Sequence, residues 1–216
     1  DTNLRVIKVD VEEKATGLIT AGAGVGTTGT TLSFAVEENN FLGRGVQLHS
    51  SAEISEESIR GRFSVNNPNY KYSGNSLSFT TESSKIDRLD KSGYESTETG
   101  FAIGTRFQQY EDVYLSPNIS LYYDDVETTS SASSSLQKMD GEYLDLDFAY
   151  SITSDKRNQR FMPTAGRMYQ FSQVIPLYSD APSITNGFNS AFYNEFTEDL
   201  IGSIKFYAKA INPIGS

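Results

Sequence analysis

The sequence contains no cysteine, which excludes a disulfide framework, a thiolate metal site and a cysteine nucleophile together. No stretch approaches the ~20 consecutive apolar residues that a transmembrane helix requires. The chain opens at Asp1 without a signal peptide and reads there as the middle of a domain, so it is expected to be a piece of a longer protein. A single histidine is present, His49, on the polar side of a strand candidate and with no second ligand type close in sequence. It makes no metal site. Positive charge is in deficit, with 18 Lys and Arg against 28 Asp and Glu and a net charge of -10, which argues against a nucleic-acid partner. Solvated loops and polar walls carry such charge without an acidic site.

What the chain does have is alternation of period two, broken by short Gly, Asn and Asp turns. From Val113 to Asp124, Val113, Leu115, Ile119, Leu121 and Tyr123 share one face, while Ser116, Asn118, Ser120, Tyr122 and Asp124 share the other. The same register recurs at Leu32/Phe34/Val36, at Ile59/Phe63/Val65, at Leu144/Leu146/Phe148/Tyr150/Ile152 and at Ile204/Phe206/Ala208/Ala210. The fold is expected to be all-β. A soluble sandwich buries such apolar faces inward, whereas a membrane barrel turns them outward to lipid and keeps polar ones toward its lumen. Segments of about ten alternating residues span a bilayer when tilted, and soluble strands run nearer five or six. Composition agrees: hydrophobic residues make up only 37%, with 17 Gly, 13 Tyr and 13 Phe. A polar lumen tolerates that low apolar share better than a two-sheet core does. An antiparallel transmembrane β-barrel is therefore the expected architecture.

Residues 4–13 alternate as a soluble strand would, and Lys14-Ala15-Thr16-Gly17 changes the composition, so a domain boundary is placed between residues 1–16 and 17–216. Eleven strands are expected at 17–26, 30–38, 46–54, 58–67, 76–86, 97–107, 113–127, 142–153, 167–178, 188–197 and 203–212. Connections after even-numbered strands carry defined motifs. Several after odd-numbered ones, such as residues 128–135, are polar and of low complexity.

Three of those motifs go beyond architecture. Residues 38–45 read Glu-Asn-Asn-Phe-Leu-Gly-Arg-Gly, residues 65–70 read Val-Asn-Asn-Pro-Asn-Tyr, and residues 155–166 read Asp-Lys-Arg-Asn-Gln-Arg-Phe-Met-Pro-Thr-Ala-Gly. Each is ordinary turn chemistry taken singly. Taken in order, and with Val11-Glu12-Glu13-Lys14-Ala15-Thr16-Gly17 entering a glycine-rich first strand, they resemble the BamA family, the POTRA-plus-barrel insertases of Gram-negative outer membranes. The resemblance spans the whole chain. It rests on Asn40, Phe41, Leu42, Gly43, Gly45, Asn67, Pro68, Asp155, Arg157, Pro163, Thr164 and Gly166. It implies that residues 1–16 end the last periplasmic POTRA domain and that about eleven of sixteen barrel strands follow. The family's Val-Arg-Gly-Phe/Tyr motif would lie beyond Ser216.

The resemblance also implies a function: folding and inserting outer-membrane proteins, with nascent clients, accessory lipoproteins and outer-membrane lipid as partners and no cofactor. Insertion makes no bond. Its difficulty is that each unpaired N–H or C=O entering lipid costs several kcal/mol, so an exposed strand edge has to serve as template. The candidate edge is Gly17, Leu18, Ile19, Thr20, Ala21, Gly22, Ala23 and Gly24, where glycine and alanine leave little side-chain packing to hold a closing neighbour. The plainer reading is that these glycines relieve crowding in a curved wall. Lys156, Arg157 and Arg160 form a basic cluster that reads first as a register-fixing turn and second as a contact with a partner or leaflet. Arg60, Arg62, Glu82, Arg106, Asp145, Asp147, Lys205 and Lys209 are expected on the lumen wall as solvated charge, with cross-wall pairing or an inward-folded loop as the other possibility. Phe41, Tyr70, Tyr72, Tyr110, Phe161 and Tyr178 fall at strand ends, as interfacial aromatics do. Asp145 and Asp147 share a face without a nucleophile, a base or a phosphate loop, so no catalysis is assigned. The competing functions are a related translocator, TamA-like or of the two-partner secretion type, and a passive porin-like channel. The leader at 4–13 speaks against the porin.

Overall fold

The computed structural model describes residues 8–12, 14–26 and 29–214. Eleven strands follow one another: β1 (Gly17–Gly26), β2 (Gly29–Phe41), β3 (Val46–Ser55), β4 (Ser58–Asn67), β5 (Ser76–Arg88), β6 (Tyr94–Tyr110), β7 (Val113–Thr128), β8 (Gly141–Asp155), β9 (Gly166–Tyr178), β10 (Ser183–Thr197) and β11 (Leu200–Pro213). They form one antiparallel sheet in which each strand pairs with its neighbours in sequence, from β1 at one edge to β11 at the other. All eleven expected strands are present. Several run longer than the alternation foretold: β6 starts at Tyr94 and β10 at Ser183, because the backbone ladder continues through polar pairs such as Glu95–Glu127. Of the leader strand expected at 4–13, residues 8–12 are in no strand, and residues 4–7 and 13 lie outside the described residues.

Cross-strand register turns the sequence alternation into two chemically distinct faces. Leu48, Val65, Phe79, Ile103, Ile119, Phe148 and Ile175 align as one unbroken apolar row across β3 to β9. On the other face, Ser51, Arg62, Glu82, Gly100, Tyr122 and Asp145 align from β3 to β8. A one-residue slip anywhere would invert every later strand, so this order is strongly specified. The apolar face packs against nothing. Among the described residues the buried hydrophobic ones are Ala132 and Ala191 alone, while Phe34, Ile59, Ile119, Phe188 and Ile204 are all exposed. A sandwich needs a second sheet over that face, and none is present among the described residues. An apolar surface of this extent belongs against lipid or protein.

Two kinds of wall glycine can be told apart. Gly100 lies under the ring of Tyr122, where an added Cβ would come 2.4 Å from the ring edge and 2.5 Å from the Leu121 carbonyl. The absent side chain lets Tyr122 lie across the sheet and donate its hydroxyl to Glu82 at 2.7 Å. Gly24 and Gly26 on β1 have nothing within 4 Å of the same position.

Candidate functional site

The motif turns and the start of β1 occupy one end of the sheet, the end carrying the connections after β2, β4, β6, β8 and β10. In the β2–β3 turn, Gly43 donates to the Asn40 carbonyl at 2.9 Å and Gly45 donates to Asn40 Oδ1 at 2.7 Å. Leu42, Gly43 and Gly45 take positive φ of 55°, 69° and 65°. Asn40 is therefore the organiser that the Asn-Phe-Leu-Gly-x-Gly order foreshadowed. Its neighbour Asn39, not singled out from sequence, donates through both its backbone N–H (3.1 Å) and Nδ2 (3.3 Å) to the Thr16 carbonyl. That clasp fixes the chain entering β1. The β4–β5 turn after Asn67 and Pro68 is also built on asparagine: Asn69 N–H donates to Asn67 Oδ1 at 3.1 Å, and Gly74 N–H to Asn69 Oδ1 at 2.8 Å.

The β8–β9 turn is the most elaborate. Arg157 donates from Nε and Nη2 to the two carboxylate oxygens of Asp155 at 2.8 and 2.7 Å, with only 17% and 13% of the two side chains exposed. This bidentate pair carries the geometric specificity of the planar guanidinium. Hydrogen bonding to Asp155 holds the Arg157 guanidinium above its usual range. Asn158 then closes the loop, accepting at Oδ1 from the N–H groups of Thr164 and Ala165 (3.2 Å each) while Nδ2 donates to Thr164 Oγ1 at 2.8 Å. Pro163 and Thr164 sit inside this closure. Gly166, at φ +101°, begins β9 where no side chain fits, because a Cβ would stand 2.2 Å from the Lys156 carbonyl oxygen. Asp155 N–H reaches across to the Asp112 carbonyl at 3.0 Å, tying this turn to its neighbour. Arg157 thus leaves the expected basic cluster to serve the turn's interior. Lys156 and Arg160 are exposed.

β1 presents a different surface. As one of the two end strands of the described sheet, like β11, it pairs with a single neighbour and is exposed along its whole length; what sets it apart is its run of glycine and alanine. Register places Ile19, Ala21, Ala23 and Val25 on the apolar face with Val36, Phe34, Leu32 and Thr30, and Leu18, Thr20, Gly22 and Gly24 on the polar face. A Cβ at Gly22 would meet the Ser33 hydroxyl at 2.9 Å, and one at Gly17 the Glu38 carboxylate at 3.0 Å and the Glu37 carbonyl at 3.4 Å. Crowding against β2 does not account for Gly24 or Gly26, which have nothing within 4 Å, while at Gly22 a side chain would require the Ser33 hydroxyl to rotate away. The turn at 155–166 lies seven strands from this edge, whereas the turn at 38–45 lies beside it.

On β2 to β7 several charges of the polar face have local partners. Arg60 faces Glu53 at 3.9 Å, Arg62 faces Glu82 at 3.5 Å, His49 faces Glu37 at 3.4 Å, and Arg106 stacks over the Tyr114 ring at 4.5 Å. Asp145 stands directly opposite Tyr122, and Asp147 opposite Ser120. On β11, Lys205 and Lys209 stand opposite Ala191 and Gly187.

Residues 40–216 match the Omp85 superfamily domain. The chain belongs to the Omp85 superfamily. Among solved structures, the crystal structure of BamA from Haemophilus ducreyi lacking POTRA domains 1–3 is similar to this Omp85 chain at a TM-score of 0.74 and 20% identity. That likeness covers 94% of this chain and shows a shared barrel fold. The chain spans 42% of the length of that relative. The Omp85 match begins within the Asn40 turn, so the β1 edge precedes it. No helix among the described residues is long and apolar enough to cross a membrane, a statement that leaves strand-built spans untouched.

Proposed function

We propose that this chain is the first part of an outer-membrane insertase barrel, with residues 17–216 as strands one to eleven and residues 1–16 as the end of a POTRA domain. In this reading the apolar face contacts lipid and the polar face lines the lumen. The end bearing the motif turns is periplasmic. Nascent outer-membrane proteins pair their terminal strand with β1, and accessory lipoproteins act through domains that precede this chain. The chemistry is hydrogen-bond exchange, not bond making. Each unsatisfied backbone group in hydrocarbon costs several kcal/mol, so a template edge lowers the barrier to inserting a strand.

The observation carrying this reading is the make-up of β1: Gly24 and Gly26 have nothing within 4 Å where a side chain would begin, so packing against β2 does not demand them. Such a strand loses little side-chain contact when its closing partner is exchanged. The entry clasp from Asn39 to Thr16 keeps the backbone aligned while that happens. A cysteine placed by Thr20→Cys in the full-length protein is expected to crosslink to a cysteine in a client's terminal strand during assembly. Crosslinking to the protein's own last strand alone, with clients present and assembly running, would refute the template and leave a translocator, TamA-like or of the two-partner type, as the better reading.

A further inference from the structure

The β8–β9 turn has a feature that neither strand templating nor register explains. Its tip presents Phe161 and Met162 to the outside at 81% and 72% exposure, flanked by exposed Arg160 and Lys156. Nothing in the loop's internal bonding needs those two side chains. The loop is nevertheless rigid around them, for Asn158 ties its two arms together and Gln159 Nε2 donates to the Met162 carbonyl at 2.6 Å. Met162 is held at φ +48°, a conformation an unbranched non-glycine residue adopts at a cost. A loop that spends binding energy on exposing an aromatic ring and a thioether has a surface to put them against.

Charge narrows what that surface is. The chain carries a net charge of -10, and the two neighbouring connections at this end bring Glu111 and Asp112 on one side and Glu198 and Asp199 on the other. The β2–β3 and β4–β5 connections at this end carry one exposed cation each, Arg44 and Lys71, whereas the β8–β9 turn carries two, Lys156 and Arg160, between acidic neighbours. Arg167 joins it from β9, exposed on the apolar face opposite Phe192. Arg157 does not count, being consumed by Asp155. On the apolar side of this end, Tyr110 before the β6–β7 turn and Phe196 before the β10–β11 turn are exposed, the Phe196 ring lying over Gly202 on the face that carries Ile204. Cations over anionic headgroups with an aromatic ring at the acyl boundary are the combination by which a segment lies in a membrane interface.

We propose that the β8–β9 turn is a membrane anchor that seats Phe161 and Met162 at the near-side interface and binds anionic phospholipid headgroups through Lys156, Arg160 and Arg167. This rests on the barrel reading above, which puts the apolar face in lipid. The anchor fixes the height and tilt of the wall seven strands away from the template edge. Each cation held near an anionic surface changes binding roughly fivefold.

The residues here contain no tryptophan, so Phe161→Trp gives a conservative reporter once any tryptophan elsewhere in the full-length protein is replaced by phenylalanine. Phe188→Trp, in the middle of the apolar face, is the companion reporter for the barrel reading itself. The protein is reconstituted in vesicles of phosphatidylethanolamine with phosphatidylglycerol, or of phosphatidylcholine alone, carrying nitroxides at headgroup or mid-chain depth. At position 161 the indole is expected to be quenched more by the headgroup nitroxide, more strongly with phosphatidylglycerol, and the lipid preference is lost in Lys156→Gln/Arg160→Gln. Water-like emission at 161 with quenching at 188 overturns the anchor and leaves the barrel standing. Shielding of 161 from both nitroxides and acrylamide also overturns it, pointing to a protein neighbour, and equal quenching in both lipids removes headgroup recognition. No lipid quenching at 188 sinks the barrel reading first.

Discussion

Substitution of Gly166 by alanine tests whether the β8–β9 turn is a constraint or a mere connection. Gly166 sits at φ +101°, outside even the left-handed helical well that Asn or Asp tolerates, and holding a non-glycine residue there costs on the order of 1–3 kcal/mol. The added methyl would lie 2.2 Å from the Lys156 carbonyl oxygen and 2.8 Å from Arg157 Cα. Both obstacles are backbone, so neither can swing away. Relief requires the two arms of the turn to part, which loosens Lys156 N–H to the Arg167 carbonyl (2.8 Å) and Asn158 N–H to the Ala165 carbonyl (3.0 Å). Each is worth about 1 kcal/mol. The whole effect is therefore about 3–5 kcal/mol. Gly43→Ala is the matched control, since Gly43 has φ +69° but open space around its missing Cβ, and should cost about 1–2 kcal/mol. Urea titration of the full-length protein in lipid, read by tyrosine fluorescence and by the gel mobility of folded barrel, compares the two midpoints. If Gly166→Ala is no worse than Gly43→Ala, the crowding argument is wrong.

Two further tests address the wall and the opposite rim. On the apolar face, Tyr150 donates to Gln173 Oε1 at 3.0 Å and Gln173 Nε2 donates to Asn186 Oδ1 at 2.7 Å, a polar chain between rows of Ile152–Phe171–Phe188 and Phe148–Ile175. Gln173→Leu leaves the Tyr150 hydroxyl and the Asn186 amide without partners on the apolar face and is expected to cost about 1–3 kcal/mol; adding Asn186→Leu should recover part of that loss in a double-mutant cycle of urea midpoints. At the opposite rim, Glu57 accepts from Lys91 and Arg88, and its carboxyl is held below the ordinary carboxylate range, first by the Lys91 hydrogen bond and then by the charge of both cations. A carboxyl lowered in this way contributes stability above its ordinary range and loses it as pH falls through the lowered value. Protection of the amides at residues 89–93, taken as the exchange rate relative to the intrinsic rate at each pH, should therefore fall in acid, and Glu57→Gln should abolish that pH dependence.

Much of this molecule was legible because strand periodicity is local. Val113 to Asp124 announce a two-faced strand without help from any neighbour, and β7 covers them. Strand ends were less legible. Ser183 to Gly187 carry no alternation and are in β10 because β9 and β11 continue the ladder past them. The turn motifs at Asn40 and Gly166 were readable as positive-φ chemistry, and the structure places Leu42, Gly43, Gly45 and Gly166 there. Asn39 and Asn158 were not singled out, since what they bond to depends on where the chain returns. Arg157 was read as one of three surface cations. Its two-residue spacing from Asp155 was the available signal, but only the turn's curvature brings the guanidinium back onto that carboxylate.

By itself the sequence determined an all-β chain of eleven two-faced strands, because side-chain direction in a strand depends only on parity along the chain. Its turn order also carried the Omp85 kinship. Only the tertiary structure decided which glycines are structural. Gly100 and Gly24 look alike in a sequence of alternating residues, yet one lies beneath Tyr122 and the other beneath nothing. That difference is a matter of cross-strand register, a relation between residues far apart in the chain that no local pattern encodes. The same holds for the Phe161 tip: its composition was visible from the start, but its exposure on a rigid loop exists only once Asn158 has closed the turn.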